Sequence, residues 1–213
     1  DKMLVSSSTL AAEIFKFSQS MAMATGNPIR DLVIRRVSTS DLAVTTSSGF
    51  EIQPTHGLQE TFPSDLIHLP AIWRNPRPVI KRSQMLLDWI SKQHMLNTIF
   101  TAVGTGVCFL AESGLLDNKP VTTHWHYFDQ LKKSYPNVLL QRQHFTTKTG
   151  NIYCAASINA MAEIIVLHVE RVFGRVIARQ AQRHFFHEIR NLSSAIGYSD
   201  GEESLLTDEA IMQ

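Results

Sequence analysis

The sequence has little of what marks a disulfide-stabilised, exported or membrane-spanning protein. Its 213 residues include only two cysteines, Cys108 and Cys154, too few for a disulfide framework. Both are expected to be reduced thiols packed in the core. No apolar run approaches the roughly 20 residues of a membrane-spanning helix. No basic stretch followed by an apolar one opens the chain as an export signal. These absences predict a cytoplasmic protein without a membrane partner.

An excess of charge of one sign is missing as well. The 20 lysines and arginines are balanced by 19 aspartates and glutamates, which leaves a formal net charge of +1. DNA-binding domains usually carry a strong basic bias, so any DNA contact is expected from a part that this chain does not contain. Hydrophobic residues make up 44% of the sequence, enough to bury a full core.

The order of predicted elements indicates an α/β protein. The patterns predict helices over 9–24, 78–94, 125–134 and 157–190, the last interrupted at Gly174, and strands over 32–37, 65–70, 98–103, 121–123 and 152–155. This alternation favours a mostly parallel sheet covered on both faces, with a site beyond the carboxyl ends of its strands. On the last helical segment the predicted packing face consists of Ile164, Leu167, Val172, Val176 and Ile177.

One stretch, AVGTGVCFLAE, combines a strand, a sharp turn and a helix. The strand over 98–103 breaks at Gly104-Thr105-Gly106, and a helical pattern follows over 105–113. A strand that turns abruptly into a helix is how α/β enzymes present a nucleophile. Here glycine occupies the top of the turn, so the corner has the frame of an active site without its reactive side chain.

Residues 191–213 differ in composition from the rest. Serine, glycine and acidic residues dominate 191–207, which is typical of a linker. The final Thr207–Gln213 resembles the capped, acidic first turn of a helix. We therefore expect a domain over 1–190, then a linker and the beginning of a further unit over 191–213.

Three segments together resemble a known family. They are Gly104–Gly106, the helix end LAESGLLDN over 110–118, and Thr-Thr-His-Trp over 122–125. They are similar to the N-terminal domain of AraC-type transcription regulators that carry a DJ-1/PfpI-like, class I glutamine-amidotransferase-like module. The resemblance implies a three-layer α/β/α sandwich with a flavodoxin-like, mostly parallel sheet. The first core strand of that family should precede the helix at Leu10, where only Met3–Val5 remain to form it.

The same resemblance implies a domain that senses a small-molecule effector, forms a homodimer and acts on DNA through a C-terminal helix-turn-helix domain. The polar residues of 191–213 fit a chain that stops just inside that DNA-binding domain.

The resemblance also locates the candidate site. Its usual elbow cysteine is replaced by Gly104, and a usual glycine by Ala71. The predicted effector pocket consists of Glu13, Ala71, Gly104, Thr105 and His124. His124 either hydrogen-bonds a ligand or is satisfied by a backbone carbonyl, and Glu13 either points at the elbow or is a solvated helix carboxylate. No catalytic residue and no cofactor is predicted.

Two further patterns have ordinary explanations. The histidines His124, His126, His184 and His187, with Glu188, do not supply a metal-ligand spacing, so no metal is predicted. Arginines recur every four residues from Arg171 to Arg183 along one side of the last helical segment. Such a row is usually a solvated face, and its alternatives are the rim of a dimer interface or a contact to DNA phosphates.

The leading hypothesis is therefore a non-enzymatic sensor and dimerisation domain. One alternative is a DJ-1/PfpI-like hydrolase or hydratase with another nucleophile, which requires a side chain and a base near the Ala71 N–H. A second is a structural dimerisation module whose pocket is filled by Phe and Trp side chains.

Overall fold

A computed structural model describes residues 2–26, 31–60 and 62–195, with side chains described up to Phe186. Over these residues the chain forms seven α-helices: α1 (Val5–Ala24), α2 (Arg77–Lys81), α3 (Gln84–Met95), α4 (Val107–Glu112), α5 (Phe128–Ser134), α6 (Ile158–Phe173) and α7 (Arg175–Ala195). Short 3₁₀ turns over Gly104–Gly106 and Trp125–Tyr127 lead into α4 and α5.

Ten strands are distributed over one central sheet and three small two-stranded sheets. The strands are β1 (Val37–Ser38), β2 (Val44–Thr45), β3 (Glu51–Ile52), β4 (His56–Gly57), β5 (Leu66–Leu69), β6 (Ile99–Val103), β7 (Pro120–Val121), β8 (Leu139–Leu140), β9 (Thr146–Thr149) and β10 (Ile152–Ala155). The central sheet has the order β5-β6-β10-β9, and the small ones pair β1 with β4, β2 with β3, and β7 with β8. These counts apply to the described ranges only.

The central sheet is parallel apart from its β9 edge. Strand β6 pairs in parallel with β5 on one side and with β10 on the other, whereas β9 runs antiparallel to β10. The carboxyl ends of β5, β6 and β10, at Leu69, Val103 and Ala155, therefore meet at one edge. The loops that follow β5 and β6 are the ones expected to line a site.

Two hydrophobic cores lie on the two faces of this sheet. Phe100 and Ala102 of β6 belong to one core, together with residues of α2, α3, α4 and α5. Val103 packs with residues of α1, α6 and α7. Because neighbouring side chains of a strand point to opposite faces, one strand serves both cores. The predicted three-layer α/β/α architecture is confirmed.

The last helical segment is divided at Gly174, as predicted, where the backbone takes a φ of +86°. Its predicted packing face is only partly right, because Ile164 and Ile177 are buried but Leu167, Val172 and Val176 are exposed. The predicted face continued one helical period across the interruption at Gly174. The left-handed Gly174 changes the direction of the chain, so Val176 on α7 does not continue the packing face of α6. Leu167 and Val172 precede this break and are exposed positions of α6 itself.

Two element predictions differ from the structure. The strand expected over 32–37 is reduced to Val37–Ser38, because only β4 pairs with it and Val33 is 59% exposed, with no sheet face to bury it. The helix expected over 78–94 is divided between α2 and α3. At the break the Ser83 hydroxyl donates to the carbonyl of Val79, 2.7 Å away, a side-chain bond that competes with helix continuation.

The beginning of the chain contributes a single bridge instead of a core strand. Met3 forms an isolated antiparallel bridge with Ile72, and the Leu4 N–H donates to the Ala71 carbonyl at 2.8 Å. At the other end, α7 continues to Ala195, five residues past the predicted boundary at 190. The predicted helix start at Thr207–Gln213 lies outside the described residues. No helix in the described ranges is both long and apolar enough to cross a membrane.

Candidate functional site

The candidate site is the corner between β6 and α4. Strand β6 ends at Val103, and the 3₁₀ turn over Gly104–Gly106 leads directly into α4. Gly104 has a φ of +51°, in the left-handed region that glycine adopts without strain. This is the sharp strand-to-helix turn that the sequence pattern predicted, and its top residue is buried.

Three predicted pocket residues meet at this corner. A Cβ atom built on Gly104 would lie 3.5 Å from the Cβ of Ala71 and 3.8 Å from the Cβ of His124. Both distances are ordinary van der Waals contacts, so the space over Gly104 would admit a small side chain. The loops after β5, β6 and β7 thus converge on one point, as predicted, although β7 belongs to the small sheet with β8 and not to the central sheet.

Gly106 is required by close packing of two backbones. A Cβ at this position would lie 2.5 Å from the Leu69 carbonyl oxygen and 2.6 Å from that of Pro70. These are backbone atoms of the last residue of β5 and of the residue after it, and they cannot rotate away as a side chain would. In the sequence, the Gly-Thr-Gly spacing is the one feature that indicates this contact.

The hydroxyl of Thr105 forms two hydrogen bonds with the loop after β5. It accepts a hydrogen bond from the Ile72 N–H at 2.8 Å and donates one to the Ile72 carbonyl at 2.6 Å. The side chain is buried. Thr105 therefore fastens the loop after β5 to the elbow, and its oxygen has neither a free proton nor an adjacent base for nucleophilic attack.

Thr123 holds the third loop to the same corner, a role that the sequence analysis missed. Its hydroxyl donates a 2.7 Å hydrogen bond to the Gly104 carbonyl, and its side chain is completely buried. The preceding Thr122 donates in the same way to the His144 carbonyl. The available signal was the paired threonines directly before His124.

The backbone N–H of Ala71, the natural donor to an oxyanion at this corner, already has an acceptor. It donates to the hydroxyl of Ser7 at 3.0 Å, and that hydroxyl donates to the Leu4 carbonyl at 2.7 Å. Ser7 lies in the first turn of α1 and is completely buried. An oxyanion hole works through donors that are free when charge develops, so this one is filled by the protein itself.

His68 supports Ser7 from inside the sheet. Its Nε2 lies 2.6 Å from the Ser7 carbonyl oxygen, so Nε2 carries the proton and donates, while Nδ1 lies 2.8 Å from the Thr101 hydroxyl. Burial lowers the pKa of His68, which keeps the ring neutral. The imidazole contacts the backbone of Ser7 and not its hydroxyl, so the two residues do not form a nucleophile–base pair.

Two of the predicted residues, His124 and Glu13, have exposed side chains. The His124 ring lies 5.6 Å from that of Trp125, which is itself 52% exposed. Glu13 is also exposed and lies about a third of a helical turn away from Ser7 around α1. Ser7, not Glu13, is the α1 side chain that contacts the backbone at Ala71.

Neither cysteine supplies a thiolate to the corner. Cys108 is completely buried and Cys154 nearly so, as predicted. Burial raises the pKa of Cys154 to about 12 and holds the pKa of Cys108 far above its usual value, beside the Tyr127 hydroxyl. Thiols in such surroundings are inert. Within the described ranges, no group of three histidine, cysteine or acidic side chains could hold a metal ion.

Comparison with known proteins gives a family and several relatives. The model of the DJ-1/PfpI family matches residues 12–171. The HTH-type transcriptional regulator CdhR of Pseudomonas aeruginosa is 28% identical over 145 residues, which cover 67% of this chain and 41% of that protein. The isonitrile hydratase of Pseudomonas putida is 27% identical over 152 residues, 71% of this chain and 64% of that enzyme.

A solved structure shares the fold. The AraC family transcriptional regulator from Pseudomonas putida superposes with a TM-score of 0.67 at 19% identity, covering 86% of this chain and 94% of that one. This chain thus spans less than half of CdhR and just under two thirds of the hydratase.

Proposed function

Because the chain belongs to the DJ-1/PfpI family and is homologous to HTH-type transcriptional regulators, we propose that it senses an effector for such a regulator and catalyses no reaction. In this proposal it is a cytoplasmic homodimer of the AraC class. DNA is bound by a C-terminal helix-turn-helix domain outside this chain.

The observation that carries the non-enzymatic part is Gly104. The residue sits at the top of the elbow in a left-handed conformation and offers no side chain for covalent chemistry. Loss of a nucleophile removes several orders of magnitude of rate, because the remaining groups only bind and polarise the substrate. Acyl-transfer chemistry also needs a free donor to the oxyanion. That donor, the Ala71 N–H, is already bonded to the Ser7 hydroxyl.

The rival function is a hydrolase or hydratase with another nucleophile, for which the isonitrile hydratase is the relevant relative. Ser7 Oγ is the side-chain oxygen within hydrogen-bond reach of the Ala71 N–H. Its proton, however, is directed to the Leu4 carbonyl, and the nearest imidazole, His68, bonds the Ser7 backbone. A buried serine without a base is a poor nucleophile, so the geometry favours recognition.

Recognition would take place over Gly104, among Ala71, His124 and the other predicted pocket residues. An effector that contacts His124 would act on the loop whose Thr123 bonds the Gly104 carbonyl. A ligand shifts a two-state equilibrium by its differential affinity for the two states. We propose that the loops at this corner are the element whose two arrangements the effector distinguishes.

An assay of the purified chain with an alkyl isonitrile tests the non-enzymatic part. We expect no hydration above the buffer rate. Turnover that is lost in Ser7→Ala, while that variant keeps its melting temperature, would establish the rival function.

A DNase footprint of the natural regulator on the promoter next to its gene tests the DNA-binding part of the proposal. A complete lack of specific protection would contradict that part.

Sedimentation velocity tests the proposed homodimer. We expect a dimer at micromolar concentration, and a monomer over the same range would contradict the proposal.

A further inference from the structure

A cavity lies away from the elbow, between α2, α4 and α5. It has a volume of about 280 Å³. The residues that line it are Arg77, Ile80, Lys81, Glu112, Ser134 and Tyr135. This volume is at the lower end of the range for small-molecule sites, so it suits a ligand of a few carbon atoms.

Cations outnumber carboxylates around this cavity. Arg77 and Lys81 are four residues apart on α2 and therefore project from the same face of the helix. Both are exposed, and Glu112 is the single acidic residue of the lining. The lining has a net charge of +1, which attracts an anion.

Hydrogen bonds fix the polar groups around the two cations. The Tyr135 hydroxyl donates to Glu112 Oε2 at 2.7 Å, which occupies one oxygen of the carboxylate. The Arg77 guanidinium donates to the Ser134 hydroxyl, which itself donates to the Gln130 carbonyl. Burial and the Glu112 contact raise the pKa of Tyr135, so its hydroxyl stays protonated. Arg77 is thereby held over the cavity by a single side-chain contact.

We propose that this cavity binds a small organic carboxylate, with Arg77 and Lys81 pairing with its charge and Ile80 packing against its carbon chain. A guanidinium presents a planar pair of donors that matches a carboxylate, and a nearby ammonium adds charge without a fixed geometry. Arg77 can exchange its neutral Ser134 partner for a charged one, which makes a stronger hydrogen bond.

This site is distinct from the elbow. Its lining shares no residue with Ala71, Gly104 or His124, and it lies at Glu112, the last residue of α4, whereas Gly104 precedes the helix. Six helical residues separate the two ends by roughly 9 Å. The inference does not depend on the proposed function, because it holds whether or not an effector binds over Gly104.

An NMR titration of the ¹⁵N-labelled chain with sodium succinate tests the proposal, with sodium chloride at equal ionic strength as reference. We expect saturable shifts at the amides of Arg77, Lys81, Ser134 and Tyr135, and none of comparable size at Gly104 or Thr123. The double variant Arg77→Gln/Lys81→Gln should weaken succinate binding about tenfold, the loss expected for removed charged hydrogen bonds.

The matched control is Arg175→Gln/Arg179→Gln, which removes two exposed arginines at the same four-residue spacing on α7. Its succinate affinity should equal that of the unaltered chain. Glu112→Gln should strengthen binding about threefold, because it removes the one negative charge of the lining. If the α2 double variant is unfolded, Arg77→Lys replaces it, with a smaller loss expected because the charge remains.

The proposal is overturned by shifts that do not saturate, by shifts that sodium chloride reproduces, or by equal losses in the α2 and α7 double variants. Weaker succinate binding in Glu112→Gln would also overturn it, since the carboxylate would then be a ligand-binding group. Shifts centred on Gly104 would place the carboxylate at the elbow instead.

Discussion

The hydroxyl of Thr123 and the carbonyl oxygen of Gly104 are joined by a 2.7 Å hydrogen bond in the completely buried part of the corner. Thr105 makes the corresponding connection to Ile72 on the other side. The loops that follow β5, β6 and β7 are therefore connected to each other through two threonine hydroxyls. A group that displaces the His124 loop must break or bend the first of these bonds.

Replacing Thr123 tests this connection. Thr123→Val keeps the shape of the side chain but removes the donor, and we expect the free energy of unfolding to fall by about 1–2 kcal/mol. Thr123→Ser keeps the hydroxyl, so its free energy of unfolding should fall by less than that of the valine variant. Urea unfolding of the three chains measures the difference, and a valine variant as stable as the parent would show that the bond contributes nothing.

Gly106 allows a test of the close packing at the corner, because two carbonyl oxygens lie within 2.6 Å of the position that a Cβ would take. Gly106→Ala should reduce the free energy of unfolding by about 3 kcal/mol, since backbone atoms must move to relieve a 2.5 Å contact. Gly114→Ala is the control: Gly114 has a φ of +70°, but a Cβ added there would meet no atom within 4 Å. This variant should lose about 1 kcal/mol of unfolding free energy. Equal losses in urea unfolding would mean that the close approach is not what requires glycine at 106.

The elbow could be located from the sequence, but the hydrogen bonds that hold it to its neighbours could not. An apolar run, Gly104-Thr105-Gly106 and a helical pattern are consecutive, so local periodicity was sufficient to predict the turn. The bonds that fill it join residues far apart in the chain: Ser7 to Ala71, Thr105 to Ile72 and Thr123 to Gly104. No local pattern specifies which distant backbone group a buried hydroxyl will meet.

The errors have the same origin. Residues 32–37 are apolar and β-branched enough to predict a strand, yet a strand forms only where a neighbour pairs with it, and β4 supplies two residues. On the last helices, Val172 and Val176 follow a helical period that Gly174 interrupts. The position of that break was predicted, whereas the change of phase across it depends on how α7 packs.

His168 makes the stability depend on pH. It is buried, with Arg171 Nη1 3.4 Å from its Nδ1, Lys148 nearby and the Tyr153 ring against it. An arginine can only donate, so Nδ1 accepts and the neutral ring carries its proton on Nε2. Burial and then the two cations lower the pKa of His168 to about 4, below the 6.5 of an exposed histidine.

Because the folded state binds this proton less tightly than the unfolded state, stability is full above pH 6.5 and falls as the pH drops from 6.5 toward 4. Between pH 7 and pH 5 the free energy of unfolding should fall by about 2 kcal/mol more in the parent than in His168→Gln. His126→Gln, which alters an exposed histidine, should follow the parent. Urea unfolding at both pH values measures these differences. Equal falls of the unfolding free energy in His168→Gln and in the parent would contradict the role of His168.

Restoring a thiol at the elbow tests whether the surroundings of Gly104 still activate a nucleophile. The space admits a cysteine side chain, although the φ of +51° makes the conformation strained. With the Ala71 N–H donated to Ser7 and the Thr105 hydroxyl bonded to Ile72, two nearby donors cannot stabilise a thiolate. The alkylation rate of Gly104→Cys by iodoacetamide should therefore titrate with a midpoint near the ordinary value of about 8.5.

The parent chain serves as the control, since burial keeps Cys108 and Cys154 unreactive in the folded state. Adding Ser7→Ala to Gly104→Cys frees the Ala71 N–H, and a hydrogen bond to the charged form should lower the midpoint by about one pH unit. A midpoint below about 7 in the single variant would mean that the corner still activates a sulfur. In that case Gly104 alone, and not the donors taken up by Ser7 and Ile72, would account for the missing chemistry.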